Sequence, residues 1–183
     1  MSDLNTWKEE LKKILLEKSV ITDREFTLAS GKKSNFYVDA RITTLDPAGA
    51  YYCGKIFLEM LKDYQVDAVG GYSIGADPIV SSIAVLSFQE NKPVPAFIIR
   101  KEEKKHGTGK VIEGNFPENG RVAIFDDVVT SGGSILRGGE QVKKQGGQVE
   151  VIMSVIDRQE GGREKIESGG YKFLSIFTKA DLL

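Results

Sequence analysis

The chain has 183 residues, 40% of them hydrophobic and 28% charged, which is the composition of one soluble globular domain of ordinary size. Its 25 basic and 26 acidic side chains give a net charge of −1, so it lacks the general positive field of proteins that bind nucleic acid or anionic membranes. No apolar run approaches the ~20 residues that span a bilayer, and the N-terminal residues lack the basic and apolar regions of a signal peptide. We therefore expect a cytoplasmic protein, in which Cys53, the only cysteine, is a buried small hydrophobic residue.

The N-terminal part of the chain predicts a helix followed by short strands. Apolar side chains recur at helical spacing over residues 7–18, and Thr6 with Glu9 has the spacing of a capping box at the start of that helix. In residues 25–41, two strand-like runs flank a Ser-Gly-Lys-Lys turn, which predicts a hairpin or a short antiparallel pair. Residues 1–45 are thus expected to form a small N-terminal hood.

The rest of the chain alternates short strands and helices. Asp46 followed by Pro47 is typical of a helix start, and this helix is expected to reach about residue 63. Further strands are predicted at 66–71, 94–99, 122–125, 149–156 and 173–177, and further helices at 77–87 and 162–168. The predicted fold is α/β, a mostly parallel twisted sheet flanked by helices, with residues 66–183 as its core and residues 1–183 as a single domain. Ligands of such sheets bind beyond the carboxyl ends of the strands, where Ser73–Asp77, Arg100 and Asp126 fall.

Residues 121–134 combine a core strand with a polar loop. Val122–Phe125 run without alternation, which predicts a strand buried on both faces that ends at Asp126. Small residues then lead to Ser134, which can cap a following helix. Ionised Asp126 and Asp127 only accept hydrogen bonds and suit sugar hydroxyls or a hydrated Mg²⁺, whereas a loop at a helix N-terminus suits a phosphate. The stretch predicts a ribose 5-phosphate site, although a polar turn after a core strand is the simpler interpretation of the Asp-Asp pair taken alone.

The same stretch resembles the 5-phosphoribosyl 1-diphosphate (PRPP) signature of the type I phosphoribosyltransferases. By that resemblance, the paired acids contact the ribose hydroxyls and the loop after them holds the 5′-phosphate. The residues implied in PRPP binding are Asp126, Asp127, Val128, Val129, Thr130, Ser131, Gly132, Gly133 and Ser134. The signature does not name the base that accepts the sugar.

A basic loop, called the flap below, lies between two predicted strands. Its residues 100–110 contain six basic side chains, counting His106, the only histidine. Loops of this length in compact domains are commonly functional or disordered, and a mobile cationic flap beside a phosphosugar site could close over a diphosphate and exclude water. The alternative is a solvated charged hairpin. His106 is accordingly either an exposed bystander or a cation or proton donor to the leaving group.

Three separated segments resemble the orotate phosphoribosyltransferase family, and the resemblance extends over nearly the whole chain. They are residues 26–41, residues 100–107 and Asp157-Arg158. The resemblance implies transfer of ribose 5-phosphate from PRPP to N1 of orotate, which gives orotidine 5′-monophosphate and diphosphate in de novo pyrimidine biosynthesis. It implies catalytic roles for Lys104, His106, Asp126 and Asp127, diphosphate contacts from Arg100, Lys101, Lys104 and His106, and orotate contacts from Thr130 and Arg158.

The orotate contact implied for Arg158 is chemically reasonable, because a guanidinium at a strand end can bind the carboxylate of orotate in bidentate fashion. A surface ion pair of Arg158 with Asp157 or Glu160 is the alternative. The resemblance further implies Mg²⁺ as the cofactor, carried by the diphosphate, with Asp126 and Asp127 as ligands through water. It implies PRPP and orotate as small-molecule partners, no nucleic acid, no membrane, and a homodimer in which Lys104 and His106 act in trans.

Two positions refine the resemblance. Some family members carry a lysine before the Ser-Gly of the N-terminal motif and use it on PRPP, whereas this chain has Ala29 there. Lys32 or Lys33 is a candidate substitute. Thr130 stands where the hypoxanthine–guanine enzymes usually have an aspartate, which favours an anionic pyrimidine here. A phosphoribosyltransferase for another base and a PRPP-sensing regulator that binds nucleic acid remain the alternatives.

Overall fold

The structure, a computed structural model, describes residues 3–22, 25–27, 33–101 and 111–183. The helices are α1 (Asp3–Lys18), α2 (Ala40–Thr44), α3 (Pro47–Leu61), α4 (Asp77–Gln89), α5 (Gly133–Lys144) and α6 (Gly162–Ser168), and a 3₁₀ turn follows at Lys179–Leu182. The strands are β1 (Val20–Ile21), β2 (Phe26–Thr27), β3 (Lys33–Ser34), β4 (Tyr37–Val38), β5 (Ala68–Tyr72), β6 (Ala96–Ile99), β7 (Ile112–Gly114), β8 (Arg121–Val129), β9 (Gln148–Asp157) and β10 (Phe173–Thr178).

The main sheet has six strands in the order β10-β9-β8-β5-β6-β7. Its pairs are parallel except for β6 with β7, which is antiparallel. Helices lie between successive parallel strands, as the crossover of a parallel pair requires. The predicted fold class, a mostly parallel sheet flanked by helices, is confirmed. The short edge strand β7, which follows the flap, was not predicted.

Strand β8 lies at the centre of the sheet and is buried on both faces, as its unbroken apolar run predicted. Val122 and Ile124 belong to the hydrophobic core on one face, and Ala123 and Phe125 belong to the core on the other. Each of these four side chains is fully buried, which is why the strand shows no polar alternation.

Helices α3 and α4 cover one face of the sheet, and α1 packs against α3. The ring of Phe57 on α3 meets the ring of Phe125 edge-on, with 4.8 Å between ring centroids, a favoured geometry for an aromatic pair. Helix α5 packs on the opposite face against β5, β8 and β9. Cys53 of α3 is buried as expected, and its burial raises the pKa of the thiol to about 12.

The hood contains two short antiparallel pairs rather than one hairpin. Strand β2 pairs with β3 as predicted. Strand β4, which the sequence placed in the same hairpin, pairs instead with β1 directly after the first helix. Phe36 is buried and Tyr37 exposed, so neighbouring side chains of this segment point to opposite sides.

The predicted starts of helices α1 and α3 had different outcomes. Helix α1 already runs from Asp3, so the prediction of a start at residue 7 with a Thr6–Glu9 capping box was wrong, because both residues lie inside the helix. The predicted start of α3 is confirmed, since Asp46 accepts hydrogen bonds from the N–H groups of Ala48 and Gly49.

No helix in the parts of the chain that the structure describes is long and apolar enough to cross a membrane.

Two neighbouring leucines test how α1 packs. Leu15 is fully buried, whereas the side chain of Leu16 is 42% exposed. We expect Leu15→Ala to lower the free energy of unfolding by about 2–5 kcal/mol, because it leaves a cavity in the core. The matched Leu16→Ala should cost less than about 1 kcal/mol. Urea denaturation followed by circular dichroism measures both, and equal losses would contradict this orientation of α1.

Candidate active site

A cavity of about 330 Å³ opens at the carboxyl ends of β5, β8 and β9, beneath the hood. Four segments of the chain and two single side chains form its wall. They are Tyr37, Val38, Asp39 and Arg41 from the hood, Tyr72, Ser73, Ile74 and Gly75 after β5, Asp126, Asp127 and Val128 at the end of β8, Thr130 and Ser134 from the loop and helix that follow, and the side chains of Lys101 and Arg158.

The two carboxylates reach this cavity because β8 is paired unequally on its two sides. On the β5 side, the pairing ends where Gly71 meets Phe125. On the β9 side, the pairing continues until Val129 meets Asp157. The prediction that the strand ends at Asp126 was therefore wrong, since β8 extends to Val129. Both acids lie in the last part of the strand, which is paired on one side only.

Asp126 is a buried carboxyl group, only 7% exposed. One of its oxygens accepts a hydrogen bond from the N–H of Asp127 at 3.0 Å, and the other accepts one from the hydroxyl of Ser134 at 3.3 Å. Burial raises the pKa of Asp126 well above its ordinary value, and the charge of Asp127 raises it further, while the Asp127 N–H and Ser134 hydroxyl act in the opposite direction. The site therefore holds a carboxyl group that is poorly stabilised in its ionised form.

The loop after β5 lies directly against these acids. A Cβ atom on Gly75 would be 2.4 Å from the Oδ1 of Asp127, so only glycine fits at this position without displacing the carboxylate. Ser73 is fixed by donating its N–H to the carbonyl of Ile99 and its hydroxyl to the carboxylate of Asp77, both at 2.8 Å. The Ser73–Ile74 peptide bond is cis. The sequence placed this loop at the correct edge of the sheet but did not assign it to the site.

The loop predicted to hold a phosphate leads from β8 into α5. Gly132 has φ = +70°, a conformation that glycine adopts without strain, and it is the N-cap residue of α5. The prediction of Ser134 as the cap was wrong, because Ser134 is the second helical residue and donates its hydroxyl to Asp126. Thr130 and Ser134 line the cavity. Val129 points into the core instead. The lining of the cavity does not include Ser131, Gly132 or Gly133.

Arg158 both lines the cavity and contacts Glu160. The residue is 8% exposed, and its Nη2 lies 2.9 Å from the Oε1 of Glu160. The angles of that contact do not make a hydrogen bond, so the buried Nε and Nη2 have no hydrogen-bond partner among the described residues. Asp157 pairs instead with Arg163, at 3.1 Å. The ion pair weighed from the sequence is present, with Arg158 buried at the cavity and Glu160 exposed.

The described ends of the flap are close to the cavity. The N–H of Arg100 donates to the carbonyl of Val111 at 2.9 Å, which closes the base of the flap. The guanidinium of Arg100 pairs with Glu113 at 2.9 Å, and it lines a neighbouring cavity of about 550 Å³ rather than the first one. Lys101 lines both cavities.

Several predicted residues cannot be placed at the cavity. Lys104, His106, Ala29 and Lys32 lie outside the described residues. Lys33 is described; its ammonium group lies 2.8 Å from Glu25, its side chain is 73% exposed, and it is absent from the cavity wall.

The fold and this site together define a phosphoribosyltransferase of type I. A crystal structure of a phosphoribosyltransferase from Corynebacterium diphtheriae superposes with a TM-score of 0.84 at 28% identity, covering 97% of this chain and 98% of that one. The chain matches no protein-family model.

Curated relatives narrow the class. The chain is 41% identical over 182 residues to the orotate phosphoribosyltransferase of a Nostoc species, which covers 99% of this chain and 87% of the relative. It is 40% identical over 178 residues to that of Aquifex aeolicus, covering 96% and 97%. The crystal structure of Mycobacterium tuberculosis orotate phosphoribosyltransferase in complex with PRPP superposes with a TM-score of 0.82 at 32% identity, covering 96% and 98%. This chain belongs to the orotate phosphoribosyltransferase family.

The buried carboxyl group predicts a conflict between stability and function. Because the folded state raises the pKa of Asp126, the free energy of unfolding falls as the pH rises from the unfolded pKa of about 3.9 through the higher folded value. Asp126→Asn removes this loss. We expect the variant to be more stable than wild type by about 0.5–2 kcal/mol near pH 8, with a smaller gain near pH 4.5, and to be impaired in catalysis.

Urea denaturation at both pH values measures this difference. The exposed Asp63 supplies the control, since Asp63→Asn should leave stability nearly unchanged at either pH. A destabilised Asp126→Asn protein at pH 8 would show that the ionised carboxylate is well stabilised in the fold.

Proposed function

We propose that this protein transfers the ribose 5-phosphate group of PRPP to N1 of orotate, giving orotidine 5′-monophosphate and diphosphate in de novo pyrimidine biosynthesis. The observation that carries the proposal is the meeting, in one cavity, of two adjacent carboxylates, a loop entering a helix N-terminus and a buried arginine. Membership of the orotate phosphoribosyltransferase family supports it. The reaction requires small-molecule substrates, with no nucleic acid or membrane, and a cytoplasmic location suits it.

Asp126 and Asp127 are the proposed ribose-binding residues. Their carboxylate oxygens accept hydrogen bonds, and the one-sided pairing of β8 presents them to the cavity. The 5′-phosphate is assigned to the loop from Thr130 to Ser134, because backbone N–H groups and hydroxyls at the start of α5 suit a phosphate. The hydrogen bond between Ser134 and Asp126 joins the two parts of the sugar-phosphate site.

Arg158 and Thr130 are the proposed orotate-binding residues. The buried Nε and Nη2 atoms of Arg158 lack a hydrogen-bond partner in the described part of the chain, and leaving a buried donor unpaired is costly. An orotate carboxylate would supply the acceptors, with a guanidinium fork on a planar carboxylate as the geometry. Glu160 would either keep its contact with Nη2 of Arg158 or be replaced there by the orotate carboxylate.

The reaction is a displacement at the anomeric carbon. As the bond from C1 to the diphosphate oxygen breaks, its electron pair leaves with the diphosphate, and N1 of orotate forms the new bond from the opposite face while its proton passes to water. Positive charge develops on the ribosyl group, and Asp126 with Asp127 is placed to stabilise it. The negative charge of orotate lies on its carboxylate, and no described residue is assigned as a general base for the N1 proton.

Mg²⁺ is the proposed cofactor, and the described residues fit a metal that the substrate carries. They contain no group of three or more His, Cys, Asp or Glu side chains able to hold an ion. The paired oxygens of Asp126 and Asp127 would meet a hydrated ion through its waters. When bound, the metal neutralises charge on the leaving diphosphate.

We assign the remaining diphosphate contacts to the flap, with Arg100, Lys101, Lys104 and His106 as the contacting residues and Lys104 and His106 acting in trans in a homodimer. The position of Lys101 at the mouth of both cavities supports this assignment. An apolar groove of about 410 Å³ between α3 and α4 offers a surface for a second copy. Tyr51 and Val85 line it and are 45% and 60% exposed, which is unusual for large apolar side chains grouped on a monomer.

An ultraviolet assay tests the reaction itself. Purified protein with MgCl₂ and PRPP should consume orotate, and Asp127→Asn should lower kcat/KM for PRPP by ~10²–10³-fold because a group aimed at developing charge is lost. The variant should keep the circular dichroism spectrum of wild type. The proposal fails if the wild-type protein leaves orotate unchanged.

A subunit-exchange experiment tests the flap in trans. Lys104→Ala and Asp127→Asn are each expected to be nearly inactive alone. If the flap acts across the interface, each mixed dimer has one site with both defects and one with neither, and random exchange restores about a quarter of wild-type activity. If the flap acts in cis, every site keeps one defect. Exchange proven by mass spectrometry without recovered activity would exclude the trans arrangement.

A further inference from the structure

Arg41 is a cavity residue to which the preceding assignments give no role. It is the second residue of the short helix α2, whose N-cap is Asp39. One oxygen of Asp39 accepts hydrogen bonds from the backbone N–H of Arg41 at 3.2 Å and from its Nε at 2.9 Å, and the other accepts one from Nη2 at 2.9 Å. Asp39 therefore holds one edge of the guanidinium in a bidentate grip, a geometry that fixes orientation as well as charge.

The other edge of this guanidinium is available to a ligand. Nη1 has no hydrogen-bond partner among the described residues, the side chain is 45% exposed, and Arg41 lines the 330 Å³ cavity. A guanidinium that is fixed on one edge and free on the other loses little entropy on binding an anion.

The formal charges of the residues that line the cavity show why a cation free to bind an anion is needed there. Among the described residues of its wall, Arg41, Lys101 and Arg158 are basic, whereas Asp39, Asp126 and Asp127 are acidic. The three positive and three negative formal charges sum to zero, whereas PRPP carries two anionic groups, a phosphate and a diphosphate. Arg158 is buried and contacts Glu160, and Lys101 lies at the base of the flap. Arg41 is thus the exposed arginine of the described cavity wall.

The assignments already made for the other anionic groups leave the diphosphate for Arg41. The hydrogen bond from Ser134 to Asp126 marks the 5′-phosphate end of the cavity. Gly75 packs against the carboxylates of both Asp127 and Asp126. The hydrogen bond and charge of Asp39 raise the pKa of Arg41, and the charge of Asp127 raises it further. The 5′-phosphate is assigned to the loop from Thr130 to Ser134 and the orotate carboxylate to Arg158, so the diphosphate is the anionic group that remains for Arg41.

We propose that Arg41 binds the diphosphate group of PRPP through its free edge, with Asp39 as the positioning residue. The proposal rests on the proposed function of the cavity. It also accounts for Ala29, which stands where some family members carry a PRPP-binding lysine, since a hood arginine supplies the cation from another position. Lys33 does not supply it in this structure, because it pairs with Glu25 away from the cavity.

Calorimetric binding of three probes tests the assignment: inorganic diphosphate with MgCl₂, ribose 5-phosphate, and orotate in the presence of diphosphate. We expect Arg41→Gln to weaken diphosphate binding by ~10–100-fold, the usual loss for a charge-assisted hydrogen-bonded contact. Arg41→Lys should weaken it ~3–10-fold, because it keeps the charge and loses the fork. Ribose 5-phosphate and orotate should bind each variant within about 3-fold of wild type, and KM for PRPP should rise more than kcat falls.

Arg121 provides the matched control. Its side chain is 41% exposed and lies 3.7 Å from Asp67 at the opposite end of β8, so Arg121→Gln removes a similar surface pair and should leave all three affinities unchanged. Thermal unfolding checks that each variant is folded. Unchanged diphosphate affinity in folded Arg41→Gln protein overturns the proposal, as does a loss confined to ribose 5-phosphate or to orotate. A wild-type protein that binds diphosphate but does not consume orotate would refute the proposed function and leave this binding result standing.

Discussion

The unequal pairing of β8 is the constraint on which the site depends. Strand β5 leaves β8 at Phe125, whereas β9 follows it to Val129, so Asp126 and Asp127 are fixed by a strand and still face a cavity. Asp126 is buried and Asp127 half-buried. Gly75 packs against both carboxylates, and the hydroxyl of Ser134 donates to Asp126. Burial raises the pKa of Asp126, and this cost to stability is typical of a functional site, here the proposed ribose site. The hood then closes the cavity from above, with Arg41 held by Asp39.

Much of this arrangement could be predicted from the sequence. The unbroken apolar run of β8 and the alternation of strands and helices indicated a mostly parallel sheet, and Asp46-Pro47 marked the start of α3 correctly. The acids, the loop to Ser134, Arg158 and the segment after β5 were all placed at the same edge of the sheet, because the carboxyl ends of parallel strands meet there. Residue type and order carried this information without any knowledge of side-chain contacts.

The remaining features depend on pairing between distant segments, which local patterns do not encode. Nothing local indicates that β4 pairs with β1 instead of continuing a hairpin with β2, or that β8 continues past its acids because β9 is long. Ser134 looked like a helix cap because its hydroxyl is near a helix start, but Gly132 begins the turn and Asp126 takes the hydroxyl. Arg41 was not among the predicted site residues, because it lines the cavity only once the hood is folded against the carboxyl edge of the sheet. The Asp39-x-Arg41 spacing at the end of the N-terminal motif was the available signal.

The cavity is proposed to transfer the ribose 5-phosphate of PRPP to an anionic pyrimidine. The most direct measurement is the initial rate of diphosphate release from PRPP, with MgCl₂, in the presence of orotate, uracil, adenine or hypoxanthine in turn. Rapid release is expected with orotate and at least ~100-fold slower release with the other three, because they lack the carboxylate proposed to bind Arg158. Release that is as fast with uracil or a purine as with orotate would contradict it.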